Sequence, residues 1–352
     1  MTRKELLSRT ALVVASAGLA LGLAEILARV LAPEPPSLRS AIFTDNIAEH
    51  YALRFNELFV RDREAFWRLA PDRRLPDEAW PLRGLISNGQ GLREDHEIAK
   101  HKGADELRIL FLGDSCTFGY GLLHGQTFVE LTERMLREHP GVGAVDCINA
   151  GVPGYTLFQG YRLLETRGFD WRPDALVLSF GWNELAEWDG ASDLDHYEEL
   201  RASTPPGPLA GSRVCELAWR ARHPRQRPDA VARRPRLVPH EFRSILERVA
   251  AAAERERVDL LLLVWPSSDN LREDWVTPLQ REQYRFAAAR RFGPGDLPAA
   301  VDGVAALREA AREAPLTELY LDPIHAGPRA QVELARALAE RLGPWVLGRR
   351  QR

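Results

Sequence analysis

From Leu107 onward, short apolar runs alternate with longer stretches of helical spacing. The runs are LRILFLG (107–113), AVDCINAG (144–151), DALVLSFGW (174–182), VDLLLLVWP (258–266) and LTELYLD (316–322). Each is brief and nearly continuously apolar, the pattern of a strand buried on both faces. Helical spacing occupies 126–138, 157–168, 240–256, about 278–291, 300–313 and 327–342, and Pro239 is suited to open the third of these. Strands alternating with helices predict an α/β fold with a parallel sheet covered on both faces, and such sheets place ligands at the carboxyl ends of their strands.

The N-terminus follows a different pattern. Arg3, Lys4 and Arg9 precede a 23-residue stretch, Thr10 to Ala32, broken only by Glu25 and Arg29. At about 1.5 Å per residue this helix reaches across a hydrocarbon core of roughly 30 Å. Glu25 and Arg29 are spaced i, i+4 and can pair near the far end. The leading basic residues place the N-terminus in the cytoplasm and the remaining chain outside. A signal peptide cleaved near Ala24 is the main alternative, because Ala15-Ser16-Ala17 has too short an apolar run before it; a buried amphipathic helix is another. Residues 33–104 form a connecting arm expected to pack on the domain that follows. It starts with the stiff APEPP (32–36). Tyr51, Phe55, Phe59, Phe66 and Trp67 suggest helical pieces, and SNGQG (87–91) marks a turn.

Charge changes the picture only locally. Of 352 residues, 47 are basic and 50 acidic, a net charge of −3 that excludes a generally basic nucleic-acid binder. The average conceals an insert, 183–240. Residues 183–200 carry seven acidic side chains and no basic one, whereas 201–240 carry nine Arg against Glu216 and Asp229. The insert reads as a solvated excursion, or else as a lid or polyanion-facing surface. Cys116, Cys147 and Cys215 form neither a disulfide framework nor a zinc motif.

Four signals sit at predicted strand ends. GDSCTFGYG (113–121) places Ser115 at a tight strand-to-helix turn; it contains neither GK[ST] nor G-x-G-x-x-G, so both nucleotide-binding readings fail. NAGVPGYT (149–156) can offer the Gly154 N–H, and GWNE (181–184) the Asn183 amide. DPIH (322–325) sets Asp322 three residues before His325, so the carboxylate can hold one ring nitrogen and leave the other as a base. Asp193 and His196 share that spacing but lie in the polar insert.

In this order the four signals resemble the blocks of the SGNH (GDSL-type) hydrolase family over roughly residues 105–345, departing from it by Glu184 after Asn183, where Asp often stands, and by the long insert. The anchor and the QGLRE segment (90–94) are similar to membrane-tethered bacterial members. The resemblance implies a three-layer, flavodoxin-like, doubly wound fold with a five-stranded parallel sheet in a domain spanning 105–346, behind an anchor over 1–32. It implies Ser115 as nucleophile, His325 as base, Asp322 as its orienting partner, and an oxyanion hole from the Ser115 and Gly154 N–H groups and the Asn183 amide. It implies no metal and no cofactor. Asp114 is expected to brace the turn, Cys116 to point away from the reaction, and Trp182, Trp188 and Trp265 to pack in the core rather than line a sugar site. The expected activity is hydrolysis of short-chain or O-acetyl esters at the outer face of the cell membrane, with an acylated carbohydrate or lipid as substrate. An O-acyltransferase using the same triad and a non-catalytic glycan-binding protein are the alternatives.

Overall fold

Five parallel strands form the centre of the molecule: β1 (Leu107–Gly113), β2 (Val145–Gly151), β3 (Ala175–Ser179), β4 (Asp259–Val264) and β5 (Ala300–Asp302). They lie in the order β2-β1-β3-β4-β5 in this computed structural model. It describes residues 3–31, 58–78, 84–187, 190–202, 205, 207, 211–222, 234–273, 275–293 and 297–351. The register runs Gly113 beside both Gly151 and Ser179, so the carboxyl ends of β1, β2 and β3 are level. Ile109, Leu110, Phe111, Leu176 and Leu261 are fully buried, because helices cover both faces.

One face carries α3 (Phe128–Glu138), α9 (Gly303–Glu313) and α11 (Pro328–Arg350), and the other α4 (Leu157–Thr166), α7 (Pro239–Arg255) and α8 (Pro278–Ala288). Thr127 caps α3, Thr277 caps α8 and Asp302 caps α9 through side-chain oxygens. The three-layer doubly wound fold is therefore as expected, and its strand order reverses between β1 and β3, where ligands of such sheets bind.

One strand differs from the sequence reading. LTELYLD forms no strand: Leu316–Leu319 is a single helical turn, α10, and Leu321 is exposed. Leu316, Leu319 and Tyr320 recur at i, i+3 and i+4, and the latter two are buried. The fifth strand is Ala300–Asp302, which pairs only with β4, Val301 beside Leu263. Three residues at a sheet edge are too few to show a period, and their apolar character merges with that of α9.

The arm also differs. Instead of helical pieces, Phe59–Asp62 and Phe66–Leu69 form an antiparallel hairpin. Asp62 Oδ1 accepts from the N–H groups of Glu64 and Ala65, closing its turn. Tyr51 and Phe55 lie outside the described residues, as do the APEPP segment and Trp188. SNGQG is a turn, with Asn88 Oδ1 accepting from Gln90 and Leu92 N–H. The segment that follows carries the arm into the domain: Arg93 N–H donates to Asn149 O, and Glu94 accepts from Asn149 N–H at 2.5 Å.

Among its described residues the insert is partly packed into the core, although the helix Arg213–Arg222 buries none of its residues. It contains α5 (Asp193–Ala202) and α6 (Arg213–Arg222), and Ser192, Asp193, His196, Arg236 and Leu237 are buried. At the other end of the chain, α1 (Arg3–Leu31) contains a 23-residue segment, Arg9–Leu31, long and apolar enough to cross a membrane. Glu25 pairs with Arg29 as its spacing suggests, and it also accepts from Ser212 Oγ and from the N–H groups of Arg213 and Val214. Glu25 of α1 thus caps the first turn of α6.

Candidate active site

β1 passes into a one-turn helix, α2 (Ser115–Phe118), across a very tight junction. A Cβ on Gly113 would stand 2.0 Å from Thr117 Oγ1 and 2.7 Å from Ser179 O, so only glycine lets the strand and the turn approach this closely. Asp114 caps α2, accepting from Cys116 N–H at 2.8 Å, the bracing role expected of it. Ser115 is left at the carboxyl edge of the sheet, almost wholly buried at 6% exposure.

The DPIH loop reaches this point from the end of the chain. Asp322 Oδ1 accepts from the N–H groups of Ile324 and His325, at 3.0 and 2.8 Å. That local turn leaves Oδ2 for the imidazole: His325 Nδ1 lies 2.6 Å from it, and His325 Nε2 lies 2.8 Å from Ser115 Oγ. The Leu321 N–H donates to His325 O and Gly327 N–H to Leu319 O, closing the loop on itself. Tyr120 stacks on the imidazole, centroids 4.2 Å apart and planes inclined by 24°. Burial raises the Asp322 pKa, but the hydrogen bond and charge of His325 and the two N–H donors outweigh it, and the group settles at about 2. Asp322 is thus an anion across the neutral range, suited to hold an imidazolium.

Asn183 begins the turn after β3. Its amide donates to Tyr155 O at 2.9 Å and to Asp114 Oδ2 at 3.2 Å, between the Gly154 loop and the Ser115 turn. Gly154 has φ +81, which favours glycine, and a Cβ there would stand 3.2 Å from Trp67 Cζ2. The structure therefore gathers Ser115, Asp322 and His325 into one hydrogen-bonded chain and sets Asn183 and the Gly154 loop beside it. Such an arrangement can move a proton off a hydroxyl and bring amide donors to a developing oxyanion.

Residues 111–329, more than half of the chain, match the model of the GDSL-like lipase/acylhydrolase family. The chain belongs to that family. Solved structures are similar to this GDSL-like chain at low identity. A lipase/acylhydrolase from Enterococcus faecalis is 20% identical, covering 68% of this chain and 96% of its own, with a TM-score of 0.42. An acetylxylan esterase from Geobacillus stearothermophilus is 16% identical, covering 70% and 97%, with a TM-score of 0.45. No curated protein matches the chain by sequence.

The GDSL-like site also uses residues that sequence reasoning passed over. Glu184 is fully buried and accepts from Leu157 and Gly181 N–H, tying β3 to α4. Its place after Asn183 was visible, but not its role. Cys116 is buried, its thiol pKa raised by that burial, and its Sγ contacts Ile324 O. Trp265 is in the core and donates to the same carbonyl, and Trp182 is half-buried against the core. His196 is buried in α5, and Asp193 is committed to Arg236 rather than to a histidine. Among the described residues, Glu94, His124 and Glu130 have ligand-type atoms within 4.8 Å of one another, but the buried Arg93 cation acts on all three.

Burial lifts the carboxyls of Glu130 and Glu184 to about 7 and about 8. A carboxyl whose folded pKa exceeds its unfolded value stabilises fully below the unfolded value, and that contribution is lost as pH rises through the folded one. His124, lowered to about 4 mainly by burial, acts oppositely, but its contribution is already complete above its ordinary value of 6.5. Thermal denaturation should therefore show a midpoint that falls between about pH 6.5 and about pH 8.5, and falls less in Glu184→Gln. A midpoint that rises across this window would contradict the assignment.

Proposed function

We propose that this chain is a membrane-tethered serine esterase that cleaves short acyl esters through a covalent acyl-enzyme. The hydrogen-bonded chain Ser115–His325–Asp322 carries the reading. His325 Nε2 takes the Ser115 proton as Oγ attacks the ester carbonyl carbon. The negative charge on the carbonyl oxygen is met by the Ser115 and Gly154 N–H groups and by the Asn183 amide, which gives up its longer bond to Asp114. Collapse expels the alcohol, which takes the proton from His325. Water then repeats the sequence: His325 accepts its proton, the hydroxide oxygen attacks the acyl carbon, and Ser115 leaves with the proton returned. Asp322 holds the imidazole tautomer throughout.

In this reading the hydrolase domain spans 105–346, with the arm 33–104 joining it to an anchor over 1–32. The apolar side chains of α1 support this, since Leu12, Leu19, Leu23, Val30 and Leu31 are all exposed. The basic residues Arg3, Lys4 and Arg9 support a cytoplasmic N-terminus and a hydrolase domain at the outer face.

With p-nitrophenyl acetate, Ser115→Ala and His325→Ala should each lower kcat by at least about 10³-fold while the far-UV spectrum is kept. His196→Ala should retain activity to within about tenfold, since its effect passes only through packing. Full activity in Ser115→Ala would rule out the nucleophile, and the reverse order of the two histidines would move the base to the insert. The full-length chain should also stay in the membrane fraction after an alkaline carbonate wash. A soluble mature chain beginning near Ala24 would instead show a cleaved signal peptide.

A further inference from the structure

The loop from Val152 to Thr156 carries Gly154, and its two central peptide groups are pinned from outside the alternating strands and helices. The peptide that supplies the Gly154 N–H has Pro153 O as its carbonyl, and the Trp67 indole of the arm donates to that oxygen at 3.1 Å. The next peptide has Gly154 O, and Arg236 Nη1 of the insert donates to it at 2.6 Å. Arg236 is held in turn by Asp193: Nε donates to Oδ1 at 3.0 Å and Nη2 to Oδ2 at 3.1 Å. Arg236 Nη2 also donates to Gln159 Oε1, and Thr156 Oγ1 donates to Asp193 Oδ2, both at 2.5 Å. The backbone completes the clamp, with Asp193 N–H donating to Arg236 O and Arg236 N–H to Ala186 O.

Both members of this ion pair are buried, at 3% and 0% side-chain exposure. Removing two charges from water is costly, and apolar residues of similar size would often stabilise a fold as well or better. Stability alone is thus a poor account of the pair. What an apolar pair could not do is donate to Gly154 O. With φ at +81, Gly154 has no side chain to define its peptide orientation, and a peptide flip on either side would break the bond from Trp67 or from Arg236.

We propose that Arg236, fixed by Asp193, is a positioning residue that orients the Gly154 N–H for the oxyanion. The insert is thereby a brace of the oxyanion hole. This rests on the esterase reading above, and it adds a residue the four sequence blocks do not contain.

The test uses the full-length protein in detergent with Arg236→Met, Arg236→Lys and the double variant Arg236→Met/Asp193→Leu. Removing Arg236 should lower kcat for p-nitrophenyl acetate about 10²-fold, with KM changed by less than about twofold. Arg236→Lys, which keeps a donor, should recover part of that loss. The double variant removes both charges, so its thermal midpoint should return to or exceed that of the wild type while kcat stays low. A double variant with wild-type kcat, or a loss of kcat that only tracks the unfolded fraction, would overturn the proposal. Hydrogen exchange separates this from failure of the esterase reading. Even where the wild type cleaves no ester, the amides of 152–156 should lose protection in Arg236→Met while those of β1 keep theirs; unchanged protection in the loop would equally overturn it.

Discussion

The whole site depends on one contact, the 2.8 Å approach of Ser115 Oγ and His325 Nε2 across 210 residues of sequence. A serine hydroxyl is a weak nucleophile without an adjacent base, so the chemistry exists only if the fold closes this separation. The parallel sheet provides for that closure. Because all five strands run the same way, the segments after β1, β2 and β3 emerge along one edge, two of them either side of the point where strand order reverses. The loop before α11 then needs only to reach that edge. Two donations fix its approach there, from Ser268 N–H to Pro323 O and from the Trp265 indole to Ile324 O.

Segments outside the alternating pattern complete the site. The arm contributes Trp67 to the Gly154 loop and Glu94 to Asn149, whose own amide donates to Thr117 O in α2. The insert contributes Arg236 and Asp193. Its opposite blocks of charge do partly neutralise each other, but some of that neutralisation is internal and buried. Glu25 of α1 meets the same insert at the start of α6, and Arg236 near its other end meets the Gly154 loop.

Much of this was legible in the sequence, for local reasons. Gly113-Asp114-Ser115 and Asp322-Pro323-Ile324-His325 are short because a tight turn and a side-chain-capped loop need only neighbouring residues. Four of the five strands could be read because they are buried on both faces and long enough to stand out. The fifth could not, since Ala300–Asp302 owes its conformation to pairing with β4 rather than to its own composition. LTELYLD misled for the converse reason: its apolar residues fit one helical turn as well as a strand. Arg236 and Asp193 were invisible as partners because they stand 43 residues apart in a segment whose charge suggested solvent. Burial of a paired charge is a tertiary fact, and no local pattern announces it. The hairpin around Phe66 is similar, for Phe66 has φ +68, a conformation held by the Asp62 turn and by packing rather than by propensity.

In the proposed mechanism Ser115 becomes covalently acylated. Acid-quenching the full-length enzyme milliseconds after mixing with p-nitrophenyl acetate, then measuring intact and peptide masses, tests it directly. One acetyl group per chain is expected, located on the peptide containing Ser115. An acetyl group on another residue, or ester hydrolysis at the full rate with no covalent adduct when deacylation is slowed, would contradict it.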